Sequence, residues 1–163
     1  KFYKGDIAGA TADVNKIRER ANCDQLYTTV TIGDIMDERA RELYLEEWRH
    51  MELSRVSYCL AISGKADEFG KTYSVDNLSN DSYWWKRIDH YNNYYNKGVV
   101  VPRQGNRPYT ISARHIYWPI PSWAINANRD GVLKQNEGYD GYDASTPVWE
   151  TWQEAVADEN NMK

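Results

Sequence analysis

The sequence predicts a mainly α fold: a helical hairpin over residues 1–62, then a loop-rich region over 63–163 with short helices and extended segments. Three observations carry this. Apolar residues recur three and four positions apart through the first sixty residues, the spacing of one helix face. Capping residues stand where those stripes begin and end. After Gly64 the period gives way to Asp, Asn, Ser and Tyr, punctuated by Gly and Pro turn signals. With 163 residues, 41% of them hydrophobic, the chain is long enough for one domain with a buried core.

Ile7, Ala10, Val14, Ile17 and Ala21 mark the first helix, with Asp6 as its cap, Arg18 and Arg20 suited to its C-terminal dipole, and Asn22 to close it. A polar connection, Cys23 to Val30, follows. Thr31 and Asp34 make a short capping box for a second stripe: Ile32, Ile35, Met36, Ala40, Leu43, Tyr44, Trp48 and Met51. The absence of Pro, and of Gly between Gly33 and Gly64, predicts one long helix over 32–62, antiparallel to the first. Beyond it, a helix over Ser82 to Asn96, extended segments at Val99–Val101 and Thr110–Tyr117, a brief helix from Ser122 to Asn128 and a last one over Val148–Asp158 are expected. Pro119 and Pro121 forbid regular structure between them.

Charge excludes some functions. Twenty basic residues face 24 acidic ones, a net charge of −4, and the basic segments are interleaved with glutamates. Nucleic acid, whose binding rests on phosphate neutralisation, is excluded as a partner on this balance. The longest apolar run, Tyr58 to Ile62, is far shorter than the roughly 20 residues a membrane helix needs. The start, Lys1-Phe2-Tyr3, carries no leader pattern, so the chain reads as processed or as a piece of something longer. In a hairpin Cys23 lies in the connection and Cys59 about 28 residues up the second helix, roughly 42 Å away. Bridging needs about 7 Å, so both thiols are expected free.

Chemical signatures are sparse. Glu47 and His50 form one Glu-x-x-His, where a di-iron bundle needs two plus further glutamates; one is what chance supplies. Glu38, Glu42 and Glu46 repeat every four residues, but helix-surface ion pairs explain them as well as acid–base chemistry does. No phosphate loop, dinucleotide fingerprint or nucleophile elbow occurs, and no cofactor is expected. Seven Trp and thirteen Tyr stand against two Phe. Tyr83, Trp84, Trp85, Tyr91, Tyr94 and Tyr95 concentrate that excess within thirteen residues. Aromatics with a polar handle suit a hydroxylated ligand, and Asp89, Asn92 and Asn93 lie in the same stretch; aromatics folding down onto the neighbouring helices explain the run equally well. Trp84, Trp85, Tyr91, Tyr94 and Tyr95 are therefore the candidate ligand contacts. Only one of the adjacent tryptophans can take that role, the other packing inward.

Three longer motifs go further. Asn15-Lys16-Ile17-Arg18-Glu19-Arg20-Ala21, then Glu38-Arg39-Ala40-Arg41-Glu42-Leu43-Tyr44-Leu45-Glu46-Glu47-Trp48-Arg49, then Trp118-Pro119-Ile120-Pro121 with Gln135-Asn136-Glu137-Gly138-Tyr139, stand in that order. Together they resemble the C-terminal third of the SusD/RagB family. Glu47 departs from the pattern, standing where the family usually has Gly, and Glu52 stands where it usually has Asp.

The resemblance implies a tetratricopeptide-like helical fold and a non-catalytic, glycan- or nutrient-binding lipoprotein of the Bacteroidetes outer membrane. It implies surface exposure, a lipid anchor on a segment upstream of Lys1, and contact with that upstream polypeptide. It also implies a partner, a SusC-like TonB-dependent transporter over which such proteins sit as a lid. Arg39, Glu42, Glu46 and Arg49 are then expected to lock the long helix to its neighbours, and Pro119 to Pro121 to turn the chain back over the helices. Gln135, Asn136, Gly138 and Tyr139 are structural motif residues on the same reading. Two alternatives stay open: a helical-repeat scaffold for protein partners, and a carbohydrate-active enzyme using the surface carboxylates.

Overall fold

The computed structural model describes residues 1–96, 111–128 and 133–145 and five positions between 151 and 157, with side chains in α4 described as far as His90. The described residues are mainly helical. The helices are α1 (Ile7–Arg20), α2 (Ile32–Glu42), α3 (Arg49–Ser63), α4 (Tyr83–Asn96) and α5 (Ser122–Ala127), with 3-10 turns at Phe2–Lys4, Val75–Asn77 and Ala113–Ile116. No described helix is long and apolar enough to cross a membrane. The chain divides into two compact units, Lys1–Ile116 and Tyr117–Lys163.

In the first unit, α1 starts where Asp6 accepts a hydrogen bond from the Gly9 amide at 2.8 Å. It ends on Asn22, which takes the left-handed conformation at φ 54°. The Asn22 amide bonds Glu19 O and the Cys23 amide bonds Arg18 O, the two closures of a Schellman ending. Thr31 and Asp34 form the full capping box of α2. Ala10 and Val14 of α1 pack with Val30, and Phe2, Tyr27 and Ile35 close around them. Polar groups hold the connection: the Asn15 amide both donates to Tyr27 O and accepts from the Tyr27 amide, each at 2.9 Å.

The single helix expected over 32–62 is two helices. The chain leaves α2 at Leu43, passes Leu45 at φ +65° and re-enters a helix at Arg49. A left-handed leucine costs about 1–2 kcal/mol. What offsets it is long-range. Arg39 pairs with Glu47 and, at 3.3 Å, with Glu52, while Arg49 Nη1 donates to Met36 O at 2.7 Å. A continuous helix would hold positions 36 and 49 about 20 Å apart along its axis, so that bond exists only because the helix breaks. The break also swings out half of the second stripe. Ile32 and Met36 are buried, whereas Tyr44, Trp48 and Met51 are exposed.

α3 carries the main contact of this unit, against α4. Leu53, Val56, Ser57 and Leu60 are buried on its inner face, opposite fully buried Tyr83 and Trp84. Cys23 and Cys59 are both free. The unbroken helix behind the separation argued for them does not exist. The stretch expected to be extended before Tyr117 is instead a 3-10 turn over Ala113–Ile116. His115 Nδ1 folds back onto the Ser112 amide at 3.0 Å and stabilises it. Val99–Val101, and most of the helix expected over Val148–Asp158, lie outside the described residues.

Candidate functional site

α4 is set by two serines. Ser82 Oγ accepts from the Trp85 amide at 3.2 Å, capping the first turn from below. Ser57 Oγ, on α3, accepts from the Trp84 amide at 2.8 Å and donates to Leu53 O at 2.9 Å. An amide that a helix start leaves without an intrahelical partner is thus met by a buried hydroxyl of the neighbouring helix. The Trp84 indole Nε1–H donates to His50 Nδ1 at 2.9 Å, and the two rings meet edge to face with centroids 5.2 Å apart. Trp84 packs inward and its face is closed to a ligand. Trp85 is half-buried, its ring offset from that of Trp84 by 6.3 Å with 28° between planes. Asp89 stands one turn further along the same face. The side chains of Tyr91, Tyr94 and Tyr95 lie outside the described residues.

Charge around this helix is organised from within. Arg87 is 4% exposed and pairs with Asp37 of α2 and, at 2.7 Å, with Glu68. Tyr83 donates to the same Glu68 oxygen at 3.2 Å, and burial next to that carboxylate pushes its phenol far up. His50 is held below its ordinary value by burial, against a backbone hydrogen bond with Ile116 that favours its charged form. Its Nδ1 accepts from Trp84, the role of a neutral imidazole. Glu47 is spent on Arg39, so Glu47 and His50 make no metal pair. Among the described residues no group of three or more His, Cys, Asp or Glu is placed to hold a metal ion.

The two helical motifs turn out to be each other's partners. Arg18 of α1 reaches Glu38 of α2 at 2.7 Å, Arg20 reaches Glu42, and Arg41 joins Glu38 at 2.6 Å. Burial would raise the Glu38 carboxyl, but Arg41 and Arg18 outweigh it and hold it below the usual range. Arg39 spans the helix break to Glu47 and Glu52, and Arg49 reaches back to Met36. Glu46 is exposed in the turn and makes no ion pair among the described residues. Sequence reasoning missed Glu38 and Arg87 as the most deeply buried charges. The signal for Glu38 was its place one turn before Glu42; for Arg87, only a charge amid an aromatic helix.

The third motif closes on itself in the second unit. Gln135 brackets Ile120 with its side-chain amide, Oε1 accepting from the Ile120 amide at 2.7 Å and Nε2 donating to Ile120 O at 2.9 Å. Asn136 Nδ2 donates to Trp118 O at 2.6 Å, and the Tyr139 hydroxyl donates to Tyr117 O at 2.8 Å. Among the described residues, the chain between Pro119 and Pro121 has no regular partner strand. Three side chains supply what a strand would, and Gly138, at φ +87°, makes the turn that aims them.

Residues 1–139, which hold all three motifs, match the SusD family. The chain belongs to the SusD family. It is also similar to the starch-binding protein SusD of Bacteroides thetaiotaomicron, 32% identical over 130 residues, covering 80% of this chain and 17% of that protein. The chain thus spans about a sixth of the length of this relative. No solved structure matches. In this SusD-family chain the motifs are structural: two join α1 to α2 and hold the break before α3, and the third clamps the turn after Tyr117.

Proposed function

We propose that this chain is part of a non-catalytic glycan-binding protein that serves nutrient uptake. The observation that carries the reading is the 32% identity to a starch-binding protein across 80% of the chain. On this reading Trp85 offers a ring face beside Asp89, and Tyr91, Tyr94 and Tyr95 stay candidate contacts by residue type. A sugar's C–H face stacks on such rings while its hydroxyls meet the carboxylate. The finer parts of the proposal are a lipid anchor upstream of Lys1, surface exposure on the outer membrane, and a SusC-like TonB-dependent transporter as partner. The upstream polypeptide of the same protein supplies the rest of the site.

The test is titration of the full-length protein with maltoheptaose, and native gels cast with starch, xylan or β-glucan. Binding without release of shorter products is expected. Product release abolished by Glu42→Gln or Glu46→Gln would turn the reading to an enzyme. No retardation by any glycan, with capture of a peptide partner, would turn it to a protein scaffold. Co-purification with a TonB-dependent transporter tests the partner separately.

A further inference from the structure

The second unit carries large aromatics on its exposed surface. Trp118 is 61% exposed, Trp123 73% and Tyr142 47%. Tryptophan is strongly buried on average, so two indoles this open within six positions need a reason. Their mounting is the opposite of loose. The Trp118 carbonyl is held by Asn136, and Pro119 follows it directly. Trp123 sits in the first turn of α5, whose start is tied by the Ala124 amide to Pro121 O at 2.9 Å. Tyr142 is bridged to Gln135, the residue that brackets Ile120. Trp118 and Tyr142 are therefore tied to the clamp built on Gln135 and Asn136, and Trp123 to the helix start that follows Pro121.

We propose that Trp118, Trp123 and Tyr142 form a second carbohydrate-stacking platform, carried on a different unit from α4. The inference rests on the glycan-binding reading. The chemistry favours a sugar over a protein surface. Three of the four large exposed hydrophobics described in this unit are aromatics with a polar handle. Exposed residues close to them in sequence include Ser122, Asn126 and Asp140, which offer hydrogen bonds, beside Pro119, Pro121 and Ala127, which offer small apolar surface. The α2–α3 region makes the contrast, mixing Leu45 of the turn and Met51 of α3 with Tyr44 and Trp48. Fixing the backbone before binding removes the ordering cost that weakens loop-borne contacts. Five residues separate Trp118 from Trp123, so their Cα atoms lie at most about 18 Å apart, within reach of one oligosaccharide chain.

The experiment uses the full-length protein with maltoheptaose and soluble starch. Trp118→Ala, Trp123→Ala and Tyr142→Ala are each expected to weaken binding roughly 5- to 150-fold, by analogy with the loss of one aromatic stacked on a nucleic-acid base. Trp118→Phe and Trp123→Phe keep a flat face and retain most of the affinity. Saturating maltoheptaose is expected to shield Trp118 and Trp123 from acrylamide quenching, read as the difference between wild type and the Phe variants. A wild type that binds starch, with all three alanine variants folded and unchanged in affinity, overturns the platform and leaves the glycan reading standing. A wild type that binds no glycan overturns both.

Discussion

Glu38→Gln tests the claim that the helical motifs act by burying an ion pair. The Glu38 side chain is 7% exposed and the Arg18 side chain 12%, with 2.7 Å between their charges. Removing the negative charge leaves the Arg18 guanidinium without its main counter-charge, and breaking such a pair costs about 3–5 kcal/mol when burial is complete. Arg18 keeps a bond from Nε to Gln25 O at 2.6 Å, and Arg41, the second partner, is 54% exposed and returns to water. The expected loss is therefore lower, about 2–3 kcal/mol. Glu42→Gln in the same helix is the internal control. Its partner Arg20 is 68% exposed, and an open pair of this kind is worth about 0–1 kcal/mol. Urea unfolding of the full-length protein, followed by circular dichroism, reads both. The Arg18→Met, Glu38→Leu double variant is expected to recover most of the loss, because no orphan charge remains. Equal losses for Glu38→Gln and Glu42→Gln would refute the reasoning.

Trp84→Ala is expected to destabilise by about 3–5 kcal/mol through the cavity it leaves, whereas Trp85→Ala changes stability by less than about 2 kcal/mol; paired denaturation curves decide this. His50 has its folded-state value below its unfolded one, so its contribution is complete above the unfolded pKa of about 6.5 and is lost as the pH falls below it. His50→Asn keeps an acceptor for the Trp84 indole and removes the proton, so the wild-type loss of stability between pH 7 and 5 is expected to shrink in that variant. Gln135→Ala orphans both backbone groups of Ile120, at about 1–3 kcal/mol. Amide exchange at Ile120 is expected to accelerate strongly, and unchanged protection would remove the clamp.

Local chemistry settles the parts of this protein that were legible from its residues. Asp6, Thr31 and Asp34 accept from amides within one turn of themselves and Asn22 takes the left-handed turn itself, so the ends of α1 and the start of α2 follow from the sequence alone. The same holds for α4 from Tyr83 and for the short helix after Pro121, where caps and prolines decide. Candidate ligand residues were readable only as an aromatic excess. Which of Trp84 and Trp85 faces inward depends on Ser57 and His50, which lie 27 and 34 residues from Trp84 in the chain.

The break between α2 and α3 was illegible for the same reason. Leu43 to Trp48 contains no Pro or Gly, and by propensity and stripe it reads as helix. The deciding bonds run from Arg39 to Glu47 and Glu52 and from Arg49 to Met36, and they form only once the chain has already turned. Arg87 reads as a surface charge by type, yet it is buried because Asp37 and Glu68 arrive from other segments to neutralise it. Short-range hydrogen bonds are written in neighbouring residues, whereas the cost of burying a charge or turning a leucine left-handed is met only by partners that folding brings together.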